Sequence, residues 1–277
     1  MGFHAKEHLG KSHEVLGASR SAGEDICADV SNESELGRVI AKAKPDAVIN
    51  AIKPPLSVDA MEKEKALTYE IDTVLPQRLA ALGKKHGFTL VQISTDGFYE
   101  GAEGETYDED ATVYPRNYYT YTKAIAEERV RCTYDNHLIL RTEGVFGHDR
   151  RESNFFARMK KACKNGEEFP AAVDQYSQPI YGGELARIIG ALLEKKATGT
   201  FNATGPDYVS RYELACKFRD AFGWDAKIAR QSLKERKIQF PLCLKVNVGK
   251  LEEKIGKIRS LDGQVALLKE FEKTSHG

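Results

Sequence analysis

The 277-residue sequence lacks an excess of charge of either sign, because 41 lysines and arginines balance 41 aspartates and glutamates. A neutral chain argues against nonspecific binding to nucleic acid, which requires a basic surface. The sequence also lacks an apolar run of the roughly 18–20 residues that span a bilayer. Residues 1–13 lack the apolar stretch of a secretory signal. We therefore expect no nucleic-acid partner, no membrane partner and a cytoplasmic location.

Cysteine is scarce as well: the chain has five cysteines, and none forms a C-x-x-C pair. An odd and scattered set favours neither a disulfide framework nor a zinc site. His4 and His8 are spaced to share one face of a helix, which binds metal when a third ligand is near. Because no third ligand has suitable spacing, we interpret this face as solvent-exposed and expect no metal.

Hydrophobic residues make up 41% of the chain and charged residues 30%, a composition typical of a globular protein with a full core. In the first half, stretches of helical periodicity alternate with short apolar runs at 14–18, 47–50, 89–93 and 137–140. Among the helical stretches, Ser31 is the expected N-cap of one, and a long helix is expected from Val58 to Leu82, ending at Gly83. The alternation predicts an α/β fold with a parallel sheet covered by helices on both faces.

Three side chains of the first half form a candidate catalytic set. Ser94-Thr95-Asp96 leaves the C-terminal end of the 89–93 strand, and open parallel sheets bind ligands beyond such ends. Tyr119 and Lys123 form Y-x-x-x-K, a spacing that places both on one helix face, although roughly one such pair arises by chance in a chain this long. Together the groups suit a carbonyl reductase. Thr95 would bind the carbonyl oxygen, Tyr119 would donate its proton, and Lys123 would hold the cofactor ribose and lower the phenol pKa.

At these residues the sequence resembles the extended short-chain dehydrogenase/reductase superfamily. Within it, the sequence is similar to the dTDP-4-dehydrorhamnose reductase family, which also includes the regulatory beta subunit of methionine adenosyltransferase. The matching residues follow the order and spacing of the family: Val48 to Ala51, Val58 to Glu62, Gln92 to Asp96, Pro115, Asn117, Tyr119, Thr122, Lys123, Glu127, Leu140 to Thr142, Val145 to Gly147, Asp174, Gln175, Pro179, Tyr181, Leu185, Ala186, Lys250 and Leu251.

The resemblance implies a Rossmann-type doubly wound parallel sheet with a small C-terminal substrate domain. The expected division gives an NAD(P)-binding domain over 1–150, and a mainly substrate-binding part over 151–277 with elements that return to the first domain. The resemblance also implies NAD(P)H-dependent reduction of a 4-keto nucleotide sugar, with Thr95, Tyr119 and Lys123 as catalytic residues.

The resemblance further assigns residues to the cofactor, with Tyr119 and Lys123 again among them. Asp29 and Val30 would lie against the adenine, and Ala51 and Ile52 would line the cofactor cleft. Arg20 and Ser21 follow the first visible strand, where an NAD-specific enzyme usually has an acidic residue. An arginine there can accept a 2′-phosphate, which favours NADP and leaves NAD open.

The largest departure from the family is at the start of the chain. The family opens with an apolar strand and G-x-x-G-x-x-G, whereas here Gly2 resembles only the third glycine, at the cofactor phosphates. Loss of this central strand would leave its neighbours with unpaired backbone groups and a gap in the core. Either the recorded start lies downstream of the natural one, which we favour, or a short form binds cofactor poorly.

Other departures concern the substrate and leave alternatives open. Gly97 replaces a tyrosine, Glu143-Gly144 replaces a segment with an aromatic residue, and Lys53-Pro54-Pro55 replaces small residues and threonine. These changes question dTDP-4-dehydrorhamnose itself more than they question the reaction class. The alternatives are a regulatory subunit, like that of methionine adenosyltransferase, and an NAD-dependent sugar epimerase or dehydratase. A homodimer is expected, or a protein partner in the regulatory case.

Overall fold

The computed structural model describes residues 1–20, 24–234 and 240–274. The elements up to the first strand of the main sheet are α1 (Gly2–Leu9), β1 (Ala18–Ser19), β2 (Ile26–Cys27), α2 (Glu33–Ala43) and β3 (Ala47–Asn50). Those that complete the first half are α3 (Val58–Met61), α4 (Lys65–Tyr69), a π-helical turn (Glu70–Val74), α5 (Leu75–His86), β4 (Thr89–Thr95), α6 (Tyr118–Thr133) and β5 (His137–Thr142). The second half contains α7 (Phe155–Lys164), β6 (Phe169–Ala172), β7 (Tyr176–Ser177), α8 (Gly182–Glu194), β8 (Gly199–Asn202), β9 (Val209–Ser210), α9 (Arg211–Phe222), β10 (Ile228–Gln231), α10 (Gly249–Ile255) and α11 (Leu261–Thr274).

The main sheet has four parallel strands in the order β3-β4-β5-β8. Side chains alternate between its two faces, as strand geometry requires. Val91 and Leu138 pack toward α1, α8 and α10 on one face. Leu90 and Ile139 pack toward α2, α5 and α6 on the other. Helices therefore cover both faces, and the expected α/β fold is confirmed.

The strands β1 and β2 form a separate parallel pair, with Ala18 opposite Ile26. Within the described residues, no strand pairing joins this pair to β3. A cavity of about 1670 Å³ lies along both sheets, and Val15, Ile49 and Leu36 contribute to its lining. The gap expected in the core is therefore present between the two sheets.

The prediction of one continuous helix over 58–82 that ends at Gly83 is wrong. The stretch is divided into α3, α4, the π turn and α5, and α5 continues past Gly83 to His86. Gly83 is a packing residue, because a Cβ there would lie 2.7 Å from the Tyr134 ring. The helix ends at Gly87, whose φ of +86° is the left-handed conformation common at helix C-termini.

Three further expectations need correction. The strand predicted at 14–18 is found only at Ala18–Ser19. The N-cap of α2 is Asn32, which accepts hydrogen bonds from the backbone N–H groups of Ser34 and Glu35, whereas the Ser31 hydroxyl donates to Asp29. His4 is not on a solvent-exposed face: it is 2% exposed and packs against Tyr181.

The second half supplies a smaller aromatic core beside the main sheet. Phe146, Phe156 and Phe218 pack together among α7, α9 and α11. Two short pairings complete this part, β6 with β10 in parallel and β7 with β9 antiparallel. β8 joins the main sheet and α8 packs on it, although both follow residue 150 in the chain. No described helix is long and apolar enough to cross a membrane.

Candidate active site

Thr95, Tyr119 and Lys123 meet at the carboxyl end of β4. Thr95 is the last residue of this strand. Asn117 caps α6 in a reciprocal capping box with Thr120, which fixes the start of the helix that carries Tyr119 and Lys123. The Thr95 hydroxyl is near enough to the Tyr119 phenol to lower its pKa. The structure thus brings together the three side chains that the sequence analysis singled out.

Backbone contacts hold two of these groups in place. The Gly97 N–H donates to Thr95 Oγ1 over 3.1 Å, which orients the hydroxyl. Lys123 is only 5% exposed, and its Nζ donates a hydrogen bond to the Ile93 carbonyl over 2.7 Å. Thr95, Tyr119 and Lys123 all line the large cavity. One cavity therefore borders all three residues.

The net shift of the phenol pKa is opposite to the direction expected from Lys123, whose own effect on the phenol stays a prediction. The pKa of Tyr119 is raised, first by burial of the phenol and next by the negative charge of Asp72. Asp96 and Glu143 raise it further, and the interaction with the Thr95 hydroxyl opposes them. Tyr119 is thus held protonated, which is the state that a proton donor requires.

Asp72 is a buried acid close enough to the candidate site to act on its charges, and the sequence pattern gave no sign of it. It lies in the π-helical turn and is 1% exposed. Burial raises its pKa to about 6, while the positive charges of Lys123 and Lys53 act in the opposite direction. Sequence periodicity gives no sign of a π turn, so the direction of this side chain could not be read from the pattern.

Two further acids, Asp96 and Glu143, act on Tyr119. Burial, and then the charge of Glu143, raises the pKa of Asp96 well above its usual range. Burial also raises the pKa of Glu143, although Arg211 donates to its carboxylate over 2.6 Å. Gly144 has a φ of +59°, a conformation that side chains with a Cβ rarely adopt. The aromatic residue of the family therefore has no equivalent at this backbone position.

The residues expected to bind the cofactor lie around the same cavity. Gly2 begins α1, Arg20 follows β1, and the remaining ones follow β2 and β3; they are Asp29, Val30, Ala51 and Ile52. The Asp29 carboxylate accepts from the hydroxyl and N–H of Ser31, and the hydroxyl bond is the main cause that lowers its pKa. Ser21 lies outside the described residues.

A buried ion pair supports the site from behind. The Arg141 guanidinium donates to both oxygens of Glu127, and its Nη2 lies 2.7 Å from Oε2. Ser94 donates to the same carboxylate over 2.6 Å, next to Thr95 in the chain. These bonds join β4, β5 and α6, the elements that carry or adjoin Thr95, Tyr119 and Lys123.

Residues 2–241 match the family described as the RmlD substrate binding domain. The chain belongs to this family. Among similar solved structures, the dTDP-4-dehydrorhamnose reductase of Clostridium acetobutylicum has a TM-score of 0.85 at 26% identity and covers 100% of this chain and 96% of its own. The Bacillus anthracis reductase in complex with NADP has a TM-score of 0.79 at 25% identity, with 89% and 87% covered. The sequence-based resemblance and the Rossmann-type fold are confirmed.

Curated relatives agree with this assignment. The dTDP-4-dehydrorhamnose reductase of Burkholderia thailandensis is 30% identical over 199 residues, which cover 70% of this chain and 65% of the relative. That of Aggregatibacter actinomycetemcomitans is 28% identical over 198 residues, covering 69% and 66%. The aligned part of the RmlD-family chain thus spans about two thirds of these relatives. A UDP-glucose 4-epimerase of Thermus thermophilus, 17% identical with a TM-score of 0.80, shares the fold.

Proposed function

We propose that this RmlD-family protein reduces a 4-keto nucleotide sugar with NADPH, as the names of its relatives indicate for them. The comparisons agree with the sequence-based expectation of a dTDP-4-dehydrorhamnose reductase-like oxidoreductase and with NADP as cofactor. The observation that carries the proposal is the convergence of Thr95, Tyr119 and Lys123 at the end of β4. The three groups match the needs of carbonyl reduction: an oxygen-binding hydroxyl, a proton donor and a cation.

The cavity fits a dinucleotide in size and in the residues along it. Its volume of about 1670 Å³ exceeds the roughly 300–1,000 Å³ of pockets for drug-sized ligands. Tyr119 and Lys123 lie at one part of the lining, and Arg20, Asp29 and Val30 contribute to another. When bound, the cofactor supplies a hydride. Arg20 would bind the 2′-phosphate that distinguishes NADP from NAD.

The chain's own residues would then divide the remaining work. The Thr95 hydroxyl would hold the substrate carbonyl oxygen beside Tyr119 through a hydrogen bond. Tyr119 would transfer its phenol proton to that oxygen as the carbon accepts hydride. Lys123 would position the cofactor ribose from the next turn of α6.

A regulatory subunit of the same fold is a second candidate. The gap between the β1–β2 pair and β3 favours it, because a discontinuous sheet supports a cofactor less well than a continuous one. The intact catalytic set favours the reductase, since a purely regulatory role does not require it. The division at residue 150, a homodimer and a cytoplasmic location stay predictions.

The deciding experiment measures NADPH oxidation with dTDP-4-dehydrorhamnose and with a second 4-keto nucleotide sugar. We expect Tyr119→Phe to lower kcat by about 10²–10⁴-fold, the usual contribution of a positioned acid. Tyr121→Phe is the matched control, because Tyr121 lies on the same helix and is 49% exposed. Equal activity of Tyr119→Phe and the control would contradict the proposed mechanism. Tight binding of a protein partner without turnover would favour the regulatory candidate.

A further inference from the structure

Asp72 is a buried acid that the reduction scheme does not use. Its side chain is 1% exposed, and neither carboxylate oxygen has a hydrogen-bond partner among the described residues. A buried carboxylate without hydrogen bonds lowers stability when it is ionised. The presence of this buried acid beside the catalytic helix therefore needs a reason other than stability.

The π-helical turn fixes Asp72 against the catalytic helix. Thr73, the next residue, donates from Oγ1 to the Thr122 carbonyl over 2.9 Å. Thr122 directly precedes Lys123, so this bond ties the turn to α6 between the two catalytic candidates. Single π turns within helices occur frequently at functional sites.

Two lysines of the cavity lining act on the charge of Asp72. Lys123 from α6 and Lys53 from the loop after β3 attract its charge. The charge of Asp72 in turn opposes ionisation of Tyr119. Charged groups near Asp72 in the chain have other partners, since Lys65 lies over the Tyr118 ring and Arg78 pairs with Glu70.

We propose that Asp72 is a positioning residue whose charge opposes phenolate formation at Tyr119, so that the substrate is protonated faster when Asp72 is neutral. This inference rests on the proposed reductase function. During reduction the Tyr119 O–H bond breaks, its proton joins the carbonyl oxygen, and hydride from NADPH joins the carbon. The phenolate that remains takes a proton from solvent. A carboxylate near a new phenolate raises the barrier by like-charge repulsion, which is strong in a buried site.

The test compares the pH dependence of hydride transfer in single turnovers. For the wild type we expect the rate to fall as the pH rises through about 6. Asp72→Asn preserves the shape without the charge, so its rate should lack the fall near pH 6 and exceed that of the wild type about tenfold at pH 8, a factor equal to one pKa unit. Asp96 and Glu143, which also act on Tyr119, are present in both proteins and are common to the comparison. Asp72→Glu should restore the pH dependence. Asp135→Asn, at an exposed position, should retain the wild-type profile.

A second readout requires no turnover. Infrared difference spectra of the protein alone should contain a protonated carboxyl band that disappears as the pH rises through about 6 and that Asp72→Asn lacks. Tyrosine labelled with ¹³C should show a lower pKa for Tyr119 in Asp72→Asn than in the wild type. Absence of both spectroscopic changes, or a wild-type pH profile in Asp72→Asn, would overturn the inference. Both changes without wild-type turnover would instead count against the reductase function alone.

Discussion

The four-stranded main sheet and the β1–β2 pair differ in how deeply their residues are buried, and each carries part of the candidate site. Every residue of β5 is buried, and the ion pair of Arg141 and Glu127 behind it is 4% and 2% exposed. The residues of β1 and β2 are exposed or half-buried, and the nearby ion pair of Lys6 and Asp25 is 37% and 36% exposed. The proton donor is thus built on the rigid part of the molecule. The residues expected at the adenosine end lie on a part with few buried contacts.

This difference separates the chemical step from cofactor affinity. A two-stranded pair is marginally stable by itself, whereas paired central strands with both faces covered are the most stable elements of such a fold. Changes near β4 should therefore alter kcat or the stability of the whole protein. Changes near β1 should alter cofactor binding and have little effect on unfolding.

The largest effect on stability is expected from Arg141→Met. The substitution removes the buried one of the two arginines that pair with Glu127, and Arg131, 29% exposed, remains 2.6 Å from the carboxylate. Breaking a buried pair lowers the free energy of unfolding by about 3–5 kcal/mol, and Arg131 should keep the loss at the lower end of this range. Denaturant unfolding monitored by circular dichroism measures the loss. The double variant with Glu127→Met should recover part of it, because no buried charge is then unpaired. A loss below about 1 kcal/mol would show that this sheet is no more rigid than the β1–β2 pair.

The pH dependence of stability should have opposite signs in the two regions. The folded pKa of Asp72 is about 6, against 3.8 for the free group, so Asp72 stabilises the protein when it is protonated. This contribution of about 3 kcal/mol is complete below pH 4 and is lost as the pH rises through 6. Asp29 has a folded pKa below its ordinary value of 3.8, so its ionised form stabilises the protein. This stabilisation is present above pH 3.8 and is lost as the pH falls through the folded pKa.

Unfolding of the wild type, Asp72→Asn and Asp29→Asn between about pH 3 and 7 tests these signs. Relative to the wild type, Asp72→Asn should gain stability as the pH rises through 6. The gain should be absent from Asp29→Asn, which changes an acid in the other region. Parallel curves for all three proteins would contradict the assignment of the slope to Asp72.

The sequence was sufficient for the parts of the molecule that depend on local pattern. Apolar runs located β3 and β4, and the Y-x-x-x-K spacing placed Tyr119 and Lys123 on one helix. The gap expected in the core corresponds to the separation of the two sheets. These features follow from periodicity and chain order, which a single sequence displays.

The features that the sequence did not predict arise from tertiary contacts. The π-helical turn, which sets the direction of Asp72, interrupts a stretch with helical periodicity. Burial of His4 depends on Tyr181, which is remote in the chain. The raised pKa of Tyr119 depends on burial and on Asp72, whereas the Y-x-x-x-K spacing indicated only the charge of Lys123.

A smaller effect, confined to the cofactor, is expected from Arg20→Ala. If Arg20 binds the 2′-phosphate, its loss should raise the KM for NADPH about tenfold, or about 1.4 kcal/mol, without change in the KM for NADH. Unfolding should be unaffected, because Arg20 is exposed. Arg38→Ala, an exposed arginine on α2 outside the cavity lining, is the matched control. Equal increases for both cofactors would indicate a general loss of the β1–β2 pair instead of phosphate recognition.

The smallest effect is expected from Lys6→Ala. Lys6 Nζ lies 2.6 Å from Asp25 Oδ2, a shorter contact than that of Arg141 with Glu127, yet both partners are exposed to water. Solvent and salt screen such a pair, so its removal should leave the denaturant midpoint within experimental error. The same measurement on Arg141→Met serves as the positive control. A clear destabilisation by Lys6→Ala, decreasing at high salt, would show that the β1–β2 pair depends on this contact, and that its separation from the main sheet is compensated electrostatically.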